Sequence, residues 1–442
     1  MQKTLELFAE TEKTNINGFS RYLTMHKQQI MSEIKKETNW DYNKADTKYL
    51  THGIHPYPAM MIPQVARRLI QQYGENANIA MDPFCGSGSV LLEFELANIK
   101  SIGTDINPLA ILISKVKTNP INPTILVDKF EEIISNTRDQ DEKNVKIPNF
   151  KNIDYWFKPE VSKRLVVLKN LINKIESKEV KDFFKVCFSE TVRKCSNTRQ
   201  GEFKLYRIPQ EKLATYSPNP YKVFADVTNR NIESMKELYF IHKENKFAEV
   251  NIINQDLTKL SKVPEQYVDL IVTSPPYGDS KTTVAYGQFS RLSLQWLDMG
   301  DELARQMDSM MLGGKPTNTL ETEINSNLLK ESISRISKTN PKRAKEVLGF
   351  FEDFYLAAKE INRVMKDNST MCFVVGNRTV EKINIPSAEI MAEIFENFGF
   401  KHTETIIRNI PSKRMPKENS PTNVAGEKVT TMNEEHLIIL QR

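Results

Sequence analysis

Val268-Asp269-Leu270-Ile271-Val272-Thr273-Ser274-Pro275-Pro276-Tyr277-Gly278 opens as an apolar run and stops abruptly at two prolines. The run is rich in β-branched residues and too short for a helix, so it predicts a buried strand of a parallel sheet. Pro275 and Pro276 forbid continuation as helix or sheet and leave extended backbone with unpaired carbonyls. A hydroxyl, a free carbonyl and an aromatic ring are thereby presented together at the carboxyl edge of a sheet, where open α/β folds place their active sites. Taken alone, Pro-Pro-Tyr is more often an ordinary loop, so the rest of the chain has to decide.

A second stretch agrees with the first. Ile79-Ala80-Met81-Asp82-Pro83-Phe84-Cys85-Gly86-Ser87-Gly88-Ser89-Val90 predicts another strand entering a glycine-rich turn, followed by the helix-favouring Leu91 to Ala97. Gly86 and Gly88 let a ligand approach the backbone, and the helix start offers free N–H groups. A P-loop would need Gly-Lys-Ser/Thr, and the dinucleotide fingerprint a third glycine where Leu91 stands. Ser101-Ile102-Gly103-Thr104-Asp105-Ile106-Asn107 then predicts a third strand ending in an acid, Asp105, able to accept from ribose hydroxyls. A nucleoside site without phosphate-cradling parts points to a nucleoside that carries no phosphates.

On these residues the chain resembles the bacterial DNA N4-cytosine/N6-adenine family of S-adenosylmethionine-dependent amino-methyltransferases. Asp82 to Gly88 looks like that family's cofactor motif and Ser274-Pro275-Pro276-Tyr277 like its catalytic motif. Thr51-His52-Gly53-Ile54-His55-Pro56-Tyr57-Pro58-Ala59-Met60 resembles the segment that closes over the methionine end of the cofactor. Asn251-Ile252-Ile253-Asn254-Gln255-Asp256 resembles the strand whose terminal acid reaches the adenine amino group. The resemblance covers roughly residues 51–119, 247–277 and 346–442. It implies a class I methyltransferase fold: α/β, Rossmann-like, with a mostly parallel seven-stranded sheet and helical insertions. It further implies S-adenosyl-L-methionine as cofactor, held by Tyr57, Pro58, Asp82, Phe84, Gly86, Gly88, Asp105, Asn107 and Asp256. Double-stranded DNA is the implied partner, with a cognate restriction endonuclease as a companion protein.

Composition and charge set the surroundings. A chain of 442 residues, 39% hydrophobic, suits one large core with insertions or two to three domains. No run of 18 apolar residues and no secretory h-region is found, which argues against a membrane partner. Cys85, Cys187, Cys195 and Cys372 are scattered without Cys-x-x-Cys spacing, so a reduced cytoplasm is expected and a zinc site is not. His52-x-x-His55 lacks further ligands, and no metal is expected. Net charge is only +5, yet Lys158 to Arg207 carries 13 Lys/Arg against 6 Asp/Glu. Such runs are usually solvated helix faces; in a nucleic-acid enzyme, phosphate contact is the better reading. Lys401 to Lys417 is a second basic run.

The pattern divides into an N-terminal helical arm (1–48), three core parts (49–119, 247–277, 346–442), a basic helical insertion (120–246) and a second insertion (278–345). Within the first, Ser196 to Arg207 mixes bases, aromatics and small polar groups suited to backbone and base contact. The second opens with Asp279 to Arg291, read as a flexible lid or DNA-contacting loop. Arg199, Lys204, Arg207, Lys281 and Arg291 are the expected DNA contacts. The α/β pattern resumes with a helix over Phe350 to Met365.

An exocyclic amine is a poor nucleophile because its lone pair is delocalised into the ring, and its base must leave the stack to be reached. Tyr277 would stack on the flipped base while the Ser274 hydroxyl and Pro275 carbonyl accept the amine hydrogens. Ring-carbon methylation would need a cysteine nucleophile following proline, and no Pro-Cys occurs; Cys85 reads as a space-filler. Serine at the first motif position goes with cytosine N4 in the resembling family, and Asp or Asn with adenine N6. Cytosine is therefore expected, with N6-adenine as the alternative. Two further readings are an RNA guanine-N2 methyltransferase and an inactive DNA-binding specificity protein that keeps the fold.

Overall fold

The computed structural model describes residues 39–138, 142, 144–279, 283–410, 418–419, 429–430 and 433–442. Most of the expected N-terminal arm, Lys281, and the 411–417 end of the second basic run lie outside the described residues.

Seven strands build the central sheet: β1 (Ile79–Asp82), β2 (Lys100–Asp105), β3 (Val250–Asn254), β4 (Val268–Thr273), β5 (Met365–Val375), β6 (Lys401–Asn409) and β7 (Glu434–Gln441). Their order is β3-β2-β1-β4-β5-β7-β6. β7 pairs antiparallel with both its neighbours, and the other ladders are parallel. This is the mostly parallel seven-stranded sheet of a class I methyltransferase. From β1 the chain steps outward to β2 and β3, then returns to place β4 on the other side of β1. The crevice above β1 and β4 is thus the topological switch point, the place such sheets leave open for a ligand.

The inner strands of the sheet are buried on both faces, which explains why β1 and β4 read as continuous apolar runs. Leu270 and Val272 of β4, Cys372 and Val374 of β5, and Leu437 and Ile439 of β7 face one side. There they meet α1 (Pro63–Tyr73) and α2 (Ser89–Leu96) through Val65, Leu69, Leu91 and Phe94. A third helix, α3 (Pro108–Lys117), has a local start signal, with Asn107 accepting from Leu109 N at 3.1 Å and proline next.

Between β2 and β3 come α4 (Pro123–Asn136), α5 (Pro159–Asn173), α6 (Lys178–Cys195) and α7 (Pro220–Glu244). After β4 come α8 (Tyr286–Trp296) and α9 (Asp301–Met310). One apolar cluster joins Leu109 and Ile113 of α3, Leu165 of α5, Phe184 and Phe188 of α6, Phe224 of α7, and Phe289 and Trp296 of α8. The two insertions therefore share a core with the cofactor half instead of standing apart from it. Residues 286–291, expected as a flexible loop, are helical. Tyr286, Phe289, Leu292 and Trp296 recur at helical spacing, and all but the partly buried Tyr286 are fully buried.

The other face of the sheet is covered by α10 (Asn327–Thr339), α11 (Pro341–Val364) and α12 (Ser387–Glu396), with Phe351 and Phe354 packed beneath Ile271, Phe373 and Ile438. α11 begins nine residues before the expected Phe350, because Asn340 accepts from Arg343 N and Pro341 opens the first turn. That start signal sits in a charged stretch that gives no apolar period. Among the described residues no helix is long and apolar enough to cross a membrane.

Candidate active site

The strand register brings Asp82, Asp105, Asn254 and Thr273 to the same edge of the sheet. A cleft of about 920 Å³ opens above it, counted to its mouth. Its walls take residues from the ends of β1 (Asp82 to Ser87, and Ser89), β2 (Asp105), β3 (Gln255, Asp256) and β4 (Ser274, Pro276). Tyr57 to Met61 line one side, and Tyr286 with Met310 to Leu312 come in from the second insertion.

Asp105 is held by the backbone. Its Oδ2 accepts from Gly86 N at 3.0 Å and its Oδ1 from Asn107 N at 2.7 Å. Burial pushes its pKa up, the N–H donors of Asn107 and Gly86 pull it back, and the balance lies at about 6. Asp82 accepts from Thr273 Oγ1 at 2.6 Å and from Phe84 N at 3.2 Å, and burial carries it to about 7. Asp256 is exposed, and its Oδ1 caps the following turn by accepting from Thr258 N at 2.9 Å.

The two glycines of the turn do different things. Gly86 has φ +48°, and a Cβ added there would find its nearest neighbour, the Tyr57 ring, at 3.6 Å. It lines the cleft, and that neighbour is at ordinary contact distance. Gly88, expected as a ligand contact, does not line the cleft. Its φ is +77°, and an added Cβ would lie 3.0 Å from Cα, Cβ and Oγ of Ser114 on α3. It is glycine so that α2 can pack against α3.

Asn107, also expected at the cofactor, is fully buried and acts one layer out. Its Nδ2 donates to Tyr57 OH at 3.0 Å and to Ser290 Oγ at 2.7 Å, fastening the cleft wall to α8. The rings of Tyr57 and Tyr286 stack with centroids 6.0 Å apart. Sequence reasoning did not single out Tyr286, although its 286/289/292/296 spacing carried the signal. Cys85, read as a space-filler, is buried yet lines the cleft.

In the loop after β4, Ser274 and Pro276 line the cleft while Pro275 is buried. The side chain of Tyr277 does not line it. Its hydroxyl donates to Glu435 Oε1 on β7 at 3.0 Å and receives only a long bond from Ser274 Oγ at 3.3 Å. Glu435 is in turn paired with Arg408 of β6. Below the loop, Asp279 is buried and paired with Arg378 at 2.9 Å. These polar anchors lie 99 and 158 residues along the chain from Asp279 and Tyr277 and leave no local signal.

The expected DNA contacts fall on one ribbon and its neighbour. Residues 197–208 form a hairpin with Arg199 N donating to Tyr206 O at 2.8 Å and Ile208 N to Asn197 O at 2.9 Å. It docks on α8 through Leu205 N to Gln288 Oε1 at 3.2 Å and through the packing of the Phe203 and Phe289 rings. Arg199 and Tyr206 are exposed, whereas Arg207 lies 4.2 Å over the half-exposed Tyr155 ring and is partly buried. Lys204 and Arg291 are partly buried near Asp308. The structure thus brings Arg199, Lys204, Arg207 and Arg291 to one region; Lys281 is not described.

The two histidines have separate buried partners: His52 Nε2 meets Glu93 at 2.8 Å, and His55 Nε2 meets Ser189 at 3.0 Å. Among the described residues no group of three His, Cys, Asp or Glu is placed to hold a metal.

The DNA methylase family model matches residues 1–116 and 268–440. The chain belongs to the DNA methylase family. A model of D12 class N6 adenine-specific DNA methyltransferases matches residues 63–340. The type II methyltransferase M.MvaI of Kocuria varians is 42% identical over 95% of this chain and 98% of its own length. The type II methyltransferase M.MjaII of Methanocaldococcus jannaschii is 23% identical over 53% of this chain and 60% of its own. Among solved structures, TrmN from Thermus thermophilus aligns at 10% identity over 86% of this chain and 49% of that chain, with a TM-score of 0.28.

Membership favours the DNA reading over the RNA guanine one and over an inactive protein. This DNA methylase takes its methyl group from S-adenosyl-L-methionine. The residues present fit that group: a carboxylate at the β2 end for ribose hydroxyls, open backbone at Gly86, and apolar walls from Met60, Leu257 and Met311.

Proposed function

We propose that the enzyme methylates the N4 amine of cytosine in double-stranded DNA at a specific site, as the modification half of a restriction–modification pair. The observation that carries this reading is the shared cleft: Ser274 and Pro276 line the same space as Asp105 and Gly86. When bound, S-adenosyl-L-methionine supplies an electrophilic methyl group on a sulfonium. Everything else is left to the chain. Asp105 accepts from the ribose, Asp256 stands at the adenine end, and Tyr57, Pro58, Asp82 and Phe84 shape the walls. The Ser274 hydroxyl and the Pro275 carbonyl accept the two hydrogens of the flipped amine, localising its lone pair toward the methyl group. Stacking on the base is the role of the Tyr277 ring, which rests outside the cleft with its hydroxyl on Glu435 and has to turn inward to reach the base. The hairpin 197–208 and α8, beside the cleft, give the duplex its phosphate contacts.

Serine at position 274 supports cytosine. One observation favours the second reading, N6-adenine: the D12 class N6 adenine-specific model matches residues 63–340. Mass spectrometry of digested product DNA separates them. N4-methylcytosine is expected, and N6-methyladenine would overturn the base assignment while leaving the reaction class. A cognate endonuclease and a cytoplasmic setting belong to the same reading; the four cysteines are free and buried, as suits a reducing compartment.

A further inference from the structure

Beneath the turn that follows β1 lies a buried lysine. Lys117, the last residue of α3, is 0% exposed. Its ammonium donates to Ser87 Oγ at 3.3 Å and to Ser89 Oγ at 3.2 Å. Both serines line the cleft. Its own carbonyl accepts from Thr51 Oγ1 at 2.6 Å, tying it to the segment that leads to Tyr57.

No carboxylate pairs with this ammonium among the described residues. Glu93 is committed to His52 and Arg67, Asp105 to two backbone N–H groups, and Asp82 to Thr273. A buried cation without a counter-ion is costly and calls for one. Burial lowers its pKa to about 7, with the Cys85 thiol acting the other way. Each serine hydroxyl, having accepted from Nζ, keeps its own proton, for which no acceptor exists among the described residues. The first turn of α2 adds to this, since its N-cap is Gly88 and no side chain satisfies its N–H groups. Two hydroxyl protons, free helix N–H groups and a buried positive charge converge on one end of the cleft.

The placement proposed above says which end of the cofactor this is. With the adenine at β3 and the ribose at β2, the amino-acid end reaches β1. We propose that Lys117 is the counter-charge of the cofactor's α-carboxylate, acting through Ser87 and Ser89 to select and orient the amino-acid end of S-adenosyl-L-methionine. The inference rests on the cleft being the cofactor site. Lys117 is a positioning residue, since the serines stand between it and the ligand.

The test is calorimetric titration of the full chain with two ligands, S-adenosyl-L-methionine and 5′-methylthioadenosine, which keeps the nucleoside and sulfur but lacks the amino acid. Lys117→Met is expected to weaken the first at least tenfold and leave the second within twofold. Loss for both ligands alike, or for neither, makes Lys117 a structural residue and ends the proposal. Asp105→Ala is the control, expected to weaken both; if it moves neither, the cleft itself is misassigned. The melting temperature of ligand-free Lys117→Met should hold or rise, because the exchange removes an uncompensated buried charge. A fall would speak for a merely structural lysine. The double variant Ser87→Ala/Ser89→Ala keeps the ammonium and removes the relay, and should show the same selective loss; equal affinity to the parent would overturn the proposal even if Lys117→Met does not fold.

Discussion

The carboxylate at the end of β2 is partly buried and already gripped by backbone N–H groups on both oxygens, whereas in the loop after β4 Ser274 has only a long bond to Tyr277, whose hydroxyl rests on Glu435. Asp105 therefore needs little from its ligand to be in place. Ser274 keeps its hydroxyl largely uncommitted, and Tyr277, its ring against the core, has its hydroxyl held by a glutamate two strands away in the sheet. The difference suits two kinds of binding. A ligand common to every turnover meets a rigid, preorganised site, while a base that arrives only after extrusion meets groups whose partners are completed by the base itself.

The largest effect should follow from removing such a completed partner. Ser274→Ala is expected to lower methyl transfer by about 10²-fold or more, the scale of one lost acceptor or donor at a developing charge, with cofactor affinity unchanged. Tyr277→Ala should behave likewise. Single-turnover assays alongside calorimetry check this; an equal loss of cofactor affinity would erase the distinction between the two halves.

Next in size is Asp105. Asp105→Ala should weaken cofactor binding by at least about tenfold, the scale of one charge-assisted hydrogen bond. Its pKa gives a direction as well. Burial, opposed by the Asn107 and Gly86 N–H groups, places it at about 6, so the group is protonated below that value and ionised above it. The ionised form is the better acceptor, so cofactor affinity should rise as pH increases through about 6. Asp105→Asn should bind more weakly and flatten that rise. A parent profile that is level across roughly pH 5 to 8 counts against the role.

The motifs were legible because prolines, glycines and acids in consecutive positions fix the backbone without help from elsewhere. Asp82 to Ser87, Asp105, Ser274 and Pro276 line one cleft above the switch point. What could not be read depends on distant burial. Gly88 looks like a ligand glycine until Ser114 is placed beside it, and Asn107 until Tyr57 and Ser290 are. Lys117 is an ordinary helix-terminal lysine in sequence, and Glu435 an ordinary strand residue. Residues 286–296 carried a helical period, but polar and glycine neighbours at 278–288 masked it.

The glycine pair offers a smaller, sharper test. Gly88→Ala puts an L side chain at φ +77° against α3, costing about 1–2 kcal/mol from the left-handed backbone alone. Gly86→Ala shares the positive φ but meets only ordinary van der Waals contact with the Tyr57 ring at 3.6 Å. Gly88→Ala should therefore lower the ligand-free melting temperature more, and Gly86→Ala should cost more cofactor affinity. The reverse order in both measurements would return Gly88 to the ligand site.

The smallest effect is expected on the hairpin, where the basic residues are not equivalent. Arg199 is exposed at the ribbon, whereas Arg207 is stacked over Tyr155 and carries a buried Nε without a partner among the described residues. If the Arg199 guanidinium meets a phosphate, Arg199→Gln should lower the slope of log affinity against log salt by roughly 0.9, equally for cognate and unrelated duplexes. Its melting temperature should stay put, since an exposed charge contributes little to folding. Arg207→Gln removes packing as well as charge, so it should lower melting temperature in addition to any change in slope. If Arg199→Gln leaves the salt slope untouched, the ribbon does not meet phosphate there. The duplex would then have to be sought along α8, where Arg291 stands with its own buried Nε, unpartnered among the described residues.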